Sequence, residues 1–172
     1  VGTDFGPGSL TDSGYPRVIK RWRRGTPLTA TVTVFEAEAK DVAASVSVDR
    51  TPGFERTVVG RATDFYNTKS WLLGKDGKLT AIDYPSDARF AFWRERVLIE
   101  LKSDWTLEGR TWPRGSLLTA DAAAYLKGER TFTALFTPTA TRSLAGFTTT
   151  REQVLLSILD NVAGRVEEWK PD

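Results

Sequence analysis

The chain has 172 residues, 40% of them apolar and 27% charged, which suits one soluble domain with a core of its own. Lysine and arginine outnumber aspartate and glutamate by 24 to 22, so a net charge of +2 gives acidic partners little attraction. Histidine, cysteine and methionine are absent, which excludes an imidazole base, the usual zinc ligands, a reactive thiol, a disulfide and a histidine pH switch.

Taken in chain order, Val1 to Gly8 is neither basic nor apolar enough for a signal peptide. No later run approaches the roughly 18 apolar residues of a membrane span. With no cysteine to oxidise, the expected address is the cytoplasm. The basic stretch Arg17 to Arg24 reads as a strand, with Arg17, Ile19, Arg21 and Arg23 on one face and Val18, Lys20, Trp22 and Arg24 on the other. Arg24-Gly25-Thr26-Pro27 turns the chain into a strand ending at Phe35. Val42, Ala44, Val46 and Val48 then alternate with small or polar residues, the period of a half-buried strand. After a turn at Thr51-Pro52-Gly53, Ser70 to Leu73 passes through Asp76-Gly77 into Leu79 to Tyr84, a hairpin signal because Asp-Gly tolerates positive φ.

Val97, Ile99 and Leu101 predict another strand, and Trp112-Pro113-Arg114-Gly115 another turn. Asp121 to Leu126 predicts one short helical turn, capped by Asp121 and ended by Gly128. Phe132, Ala134 and Phe136 alternate again, followed by a strand at Leu144 to Phe147. From Thr150 to Asn161 two readings fit equally: an amphipathic helix, or a buried strand Val154 to Leu159 turning at Asp160 to Gly164 into Arg165 to Trp169. Strands ending at Phe35, Phe92 and Phe136 recur at roughly 40–60 residues, near the ~40–50 of a propeller blade. Periodicity alone leaves a partial β-propeller and a plain β-sandwich level.

Four groups of residues could carry chemistry. Arg17, Lys20, Arg21, Arg23 and Arg24 around Trp22 resemble a nucleic-acid patch, but the charges divide between two strand faces and no nucleic-acid partner is expected. Tryptophans in an all-β protein mostly pack between sheets. Trp105 and Trp112 are the candidate ligand contacts, because they flank a polar insertion, Thr106 to Thr111, where an aromatic could meet a sugar or peptide. Glu95, Glu100, Asp104 and Glu108 could pair for acid–base work, yet Arg94, Arg96 and Arg110 nearby make ordinary ion pairs the simpler reading. The closest stretch to a nucleophile elbow, Gly115-Ser116-Leu117-Leu118, lacks the second glycine of G-x-S-x-G. No catalytic, cofactor or metal residue is assigned.

Several segments, in this order, resemble the β-propeller domain of the prolyl oligopeptidase family of serine peptidases: Gly8 to Leu28, Val34-Phe35-Glu36, Arg61 to Tyr66, Lys102 to Trp105, Pro113 to Leu118 and Leu159 to Val162. The resemblance implies an all-β fold of about three to four antiparallel blades, with residues 1–172 forming a single partial propeller domain of a longer peptidase-like protein. It also favours the strand at Val154 to Leu159. In that family a seven-bladed propeller covers an α/β-hydrolase domain that holds the Ser, Asp and His triad, and filters oligopeptides from folded proteins. The implied partner is therefore that hydrolase domain, and through it an oligopeptide. On this reading the chain alone is not an enzyme, and its open blade faces and strand edges predict self-association, cover by rearranged loops, or marginal stability. The alternative is an independent carbohydrate- or peptide-binding module using Trp105 and Trp112.

Overall fold

Residues that alternate in polarity settle into strands wherever a neighbour can pair with them, and fifteen strands result among residues 1–171, which the computed structural model describes. Their contacts divide at Ser86 into two compact units, Val1–Ser86 and Asp87–Asp172.

In the first unit, β1 (Val18–Arg21) and β2 (Val32–Glu36) form an antiparallel pair joined through a short 3-10 turn at Leu28–Ala30. Four strands follow as a meander in sequence order: β3 (Ala43–Asp49), β4 (Arg56–Ala62), β5 (Thr68–Leu73) and β6 (Leu79–Ile82). Val46, Val59 and Trp71 stand opposite one another across three strands, and Val59 is fully buried. Ile19, Ala37 and Ala44 share a small core with Val34, Phe35 and Val46, so the hairpin lies against the meander. Phe35 and Trp71 meet across that junction with ring centroids 5.2 Å apart.

Two expectations for this unit change in detail. The strand read across Arg17 to Arg24 is only four residues long, and Val18 and Ile19 are buried on opposite faces, so both sides of its start are covered; the register irregularity falls in β2, where Val34 is the extra residue. At Asp76-Gly77 the hairpin forms, but only Gly77 takes positive φ (86°), while Asp76 Oδ1 accepts the Lys78 N–H at 3.0 Å. The turn is thus longer than a two-residue Asp-Gly reversal, closed by Gly74 N–H to Lys78 O at 2.8 Å.

The second unit opens with β7 (Arg89–Trp93) and β8 (Arg96–Glu100), followed by a small hairpin of β9 (Trp105–Leu107) and β10 (Arg110–Trp112). Next come β11 (Leu117–Asp121), helix α1 (Ala122–Leu126) and β12 (Thr133–Phe136), completing a four-stranded sheet in the order β7-β8-β11-β12. A third meander, β13 (Arg142–Thr149), β14 (Val154–Asp160) and β15 (Ala163–Trp169), has three strands. Leu98, Leu117, Trp93 and Phe136 of the four-stranded sheet share one core with Phe147, Val154, Leu156 and Ile158. The two sheets therefore pack face to face. Trp93 fixes the junction further: its indole donates to Thr150 O at 2.8 Å and its ring meets Trp169 edge-on at 6.1 Å.

Asp121 caps α1 as expected, accepting the Ala124 N–H at 2.8 Å, and Gly128 ends it at φ 100°. The open choice at Thr150 to Asn161 resolves as strand. Val154, Leu156 and Ile158 are buried while Leu155, Ser157 and Leu159 turn away, because β13 and β15 pair with β14 on both sides. The phenylalanine repeat mixes two kinds of position. Phe35 and Phe136 lie in strands that precede a change of sheet, whereas Phe92 lies within the first hairpin of its sheet. The first strands of successive meanders, β3, β7 and β13, are the comparable positions, and they recur at roughly 50 residues.

Candidate functional site

The insertion flanked by Trp105 and Trp112 is the hairpin β9–β10, reversed at Glu108-Gly109, where both residues take positive φ (48° and 79°). That turn sets Trp105 directly opposite Trp112, so both indoles lie on one face of the ribbon. Phe132, just before β12, fills the space beneath them, 5.2 Å from Trp105 and 6.2 Å from Trp112. Tyr125 of α1 continues the cluster 6.0 Å from Phe132 and 6.1 Å from Phe90. Two guanidinium groups stack on it: Arg110 over Trp112 at 3.5 Å and Arg130 over Tyr125 at 4.3 Å.

The two tryptophans are unequal. Trp112 is 5% exposed, enclosed between Phe132 and Arg110, while Trp105 is half-buried and keeps part of its ring in solvent. Around the rim, Thr106 and Thr111 share a hydroxyl hydrogen bond of 2.8 Å and Asp104 accepts the Arg114 N–H at 2.7 Å. The cluster thus offers one partly open aromatic edge with polar neighbours. Sequence reasoning found the tryptophans but not Phe132, Tyr125 or Phe90, whose place beside the same insertion is visible only once β7, α1 and the residue before β12 come together.

The other candidate groups are dispersed. Glu100 is buried and paired with Lys102 and, at 3.9 Å, Arg89, whereas Glu95 meets Arg94 at 3.6 Å and Glu108 sits exposed on its turn. Each carboxylate has separate surroundings, and Glu100 takes Lys102 and Arg89 in place of Arg94, Arg96 or Arg110. In the basic stretch, Arg17 pairs with Glu36 at 2.7 Å, Lys20 lies over the Phe5 ring, and Trp22 donates to Thr26 O at 2.8 Å. Ser116 is fully enclosed behind β8 and β11, out of reach of any substrate. Among the described residues, no three potential metal ligands gather, and no helix is long and apolar enough to cross a membrane.

A second aromatic feature escaped the sequence reading. The β4–β5 connection displays Phe65 and Tyr66 almost fully in solvent. Asp64 holds that loop: its Oδ1 accepts the N–H groups of Tyr66 and Asn67, both at 2.8 Å, and its Oδ2 accepts from Asn67 Nδ2 at 2.9 Å. These bonds, led by that of Tyr66, hold the Asp64 carboxyl below its usual range.

The buried carboxylate of the first unit is Asp41, 1% exposed in the β2–β3 connection. Its Oδ2 accepts the Glu38 N–H at 2.6 Å and lies 2.7 Å from Arg61 Nε, and its Oδ1 accepts from Arg61 Nη2 at 3.0 Å. Glu38 also accepts from Arg61 Nη2, at 2.7 Å. The result ties the start of one sheet to the connection from the sheet before it.

Antiparallel meanders that share an apolar face with a neighbouring sheet of the same unit are blades, and the chain is a partial β-propeller. Comparison with known proteins specifies which kind. The chain is 31% identical, over 98% of its own length, to an uncharacterized peptidase of Sinorhizobium fredii (strain NBRC 101917 / NGR234). It is 30% identical, over 93% of its length, to another of Rickettsia prowazekii (strain Madrid E). It spans 24% of each, about a quarter of the curated relatives it matches. Among solved structures, a post-proline cleaving enzyme from Rickettsia typhi matches with a TM-score of 0.89 at 26% identity, covering 98% of this chain and 26% of that one. A prolyl endopeptidase structure matches with a TM-score of 0.65 at 16% identity, covering 97% of this chain and 24% of that one, a likeness of fold. No family model matches. The chain thus resembles the propeller portion of the prolyl endopeptidases among its structural neighbours, over a segment of about a quarter of their length.

Proposed function

We propose that the chain is a non-catalytic wall of a propeller that covers an α/β-hydrolase domain and limits which peptides reach it. The observation that carries this reading is the match with the Rickettsia typhi enzyme, which takes in nearly all of this chain and only about a quarter of that enzyme. The missing histidine agrees with it, since the general base of a serine triad would have to come from elsewhere in a longer polypeptide. Filtering has a steric basis: rigid stacked sheets leave a passage that an extended peptide can thread and a folded protein cannot. Trp105, with its half-open ring, and Trp112, which supports it, are the positions offered to such a peptide. A cysteine-free composition supports a reducing compartment, the cytoplasm, as the place of work.

The test is size selectivity. In the longer protein that contains this segment, deletion of residues 1–172 is expected to raise cleavage of long polypeptides relative to short proline-containing peptides. The isolated chain is expected to cleave neither. An unchanged ratio between long and short substrates, or turnover by the isolated chain, overturns the proposal. Specific binding of an oligosaccharide, lost on Trp105→Ala, favours the independent binding module instead.

A further inference from the structure

The first meander carries an open groove of ≈ 550 Å³ where its β3–β4 and β5–β6 connections leave the sheet. Because neighbouring strands run antiparallel, both connections lie at one end, and the β4–β5 loop with Phe65 and Tyr66 lies at the other. Val48, Leu72 and Leu73 supply aliphatic surface inside the groove, and Val48 is 55% exposed. Arg21, Arg50 and Lys75 stand around it, exposed, and none has an ion-pair partner among the described residues. Arg56 also lines the groove, opposite Asp49 in the β3–β4 register. Asp49 is already engaged, since its Oδ1 accepts the Thr51 N–H at 2.8 Å. Asp76 likewise faces its own turn, accepting the Lys78 N–H. Among the lining residues Glu55 is the one exposed carboxylate. Four cations against two carboxylates give the groove an excess of +2, as large as that of the whole chain.

We propose that this groove binds an extended, acidic peptide segment. Aliphatic side chains of the peptide cover Val48, Leu72 and Leu73, and carboxylates flanking them reach Arg21, Arg50 and Lys75. The long stems of these cations widen the apolar lining while their charged heads stay at the rim. A nucleic-acid strand fits less well. The floor offers aliphatic surface in place of the aromatic platforms that stack bases, and Asp49 and Glu55 repel a chain of phosphates. A free phosphate would use the cations and leave the aliphatic floor uncovered. The groove draws no residue from the second unit, where Trp105 and Trp112 lie, so binding here is independent of the peptidase reading.

Fluorescence anisotropy of a rhodamine-labelled peptide alternating glutamate and leucine, titrated with the whole chain at low ionic strength, tests the assignment. Saturable binding is expected, and added salt should weaken it because the cations are exposed. Arg21→Glu and Arg50→Glu together should raise Kd by about tenfold or more. Val48→Ser should raise it several-fold through the lost apolar contact. Circular dichroism should stay unchanged in these variants, since all three side chains are exposed. Arg151→Glu with Lys170→Glu makes the same change in net charge on exposed residues of the second unit and should leave binding unaltered. A peptide with glutamine in place of glutamate should bind about tenfold more weakly or worse. Inorganic phosphate at a concentration equal to that of the acidic peptide should not displace it. No saturable binding, equal weakening by both pairs of charge reversals, displacement by phosphate, or tighter binding of a single-stranded oligonucleotide overturns the proposal.

Discussion

Val162→Gly is expected to stabilise the chain although it removes a side chain. Val162 is the second residue of the β14–β15 reversal, a β-branched residue at φ 62° and 96% exposed, so the isopropyl group has almost no packing to lose. A non-glycine residue held in that left-handed region costs on the order of 1–3 kcal/mol. Glycine relieves the strain but adds about 0.5–1 kcal/mol of unfolded-state freedom. The difference is a gain of about 1 kcal/mol, or ~2–4 °C in Tm for a cooperative chain of this length. Val162→Ala keeps a Cβ in the same backbone region and should recover less of it. Urea unfolding followed by tryptophan fluorescence measures both variants, with an unchanged m-value as the check that the same transition is compared. A loss of stability in Val162→Gly, or an equal gain in Val162→Ala, would refute the assignment of strain to this turn.

Asp41→Ala leaves the Arg61 guanidinium and the Glu38 N–H without their buried acceptor, and should cost about 2–4 kcal/mol in urea unfolding. Adding Arg61→Ala to it should cost less than the sum of the two single variants. Leu156→Ala opens the core shared by the two sheets of the second unit and should cost about 2–5 kcal/mol, whereas Leu155→Ala, on the outward side, should cost far less. Burial raises the Tyr84 phenol above its ordinary value near 10, offset in part by its 2.8 Å bond with Ser70. The folded state therefore favours the protonated phenol, and its contribution is complete below pH ~10 and is lost as pH rises through the folded value. Tyr84→Phe should flatten that alkaline leg in a pH series of thermal melts.

Much of this fold can be read from local pattern. β3, β8, β12 and β13 lie where the alternation of Val42 to Val48, Val97 to Leu101, Phe132 to Phe136 and Leu144 to Phe147 places them, with ends differing by a residue or two. Asp121 and Gly128 mark α1 because capping chemistry is local. Tertiary placement is less legible. Val154 to Leu159 fits helix and strand equally in isolation, and two pairing partners decide it. Val97, Leu98 and Ile99 are all buried, so the side covered by a neighbouring sheet cannot be read from polarity. The aromatic cluster draws on β7, β10, α1 and the residue before β12, a gathering no window of sequence contains. Glu100 takes Lys102 from two residues along the chain, but Arg89 reaches it because strand pairing sets the two opposite one another.

Within each meander, enclosed side chains and displayed ones occupy different places. Central strands hold the fully enclosed residues: Val59 on β4, Val97 to Ile99 on β8, Leu117 and Leu118 on β11, and Val154 on β14. Besides exposed strand residues such as Val48, Leu159 and Val166, each meander carries an aromatic or apolar group on the connection from second to third strand: Phe65 and Tyr66 in the first, the half-buried Trp105 in the second and Val162 in the third. Because chain direction reverses at every strand, that connection leaves each sheet at the same end of its first strand, and it can vary in length without disturbing the core. The β4–β5 loop is pinned by the Asp64 bonds and the β9–β10 ribbon by Phe132, so neither display is a slack loop. Within each unit, a connection fixed in this way can present an apolar group to an extended peptide without deforming the sheet that carries it, which is what the proposed role asks of each blade.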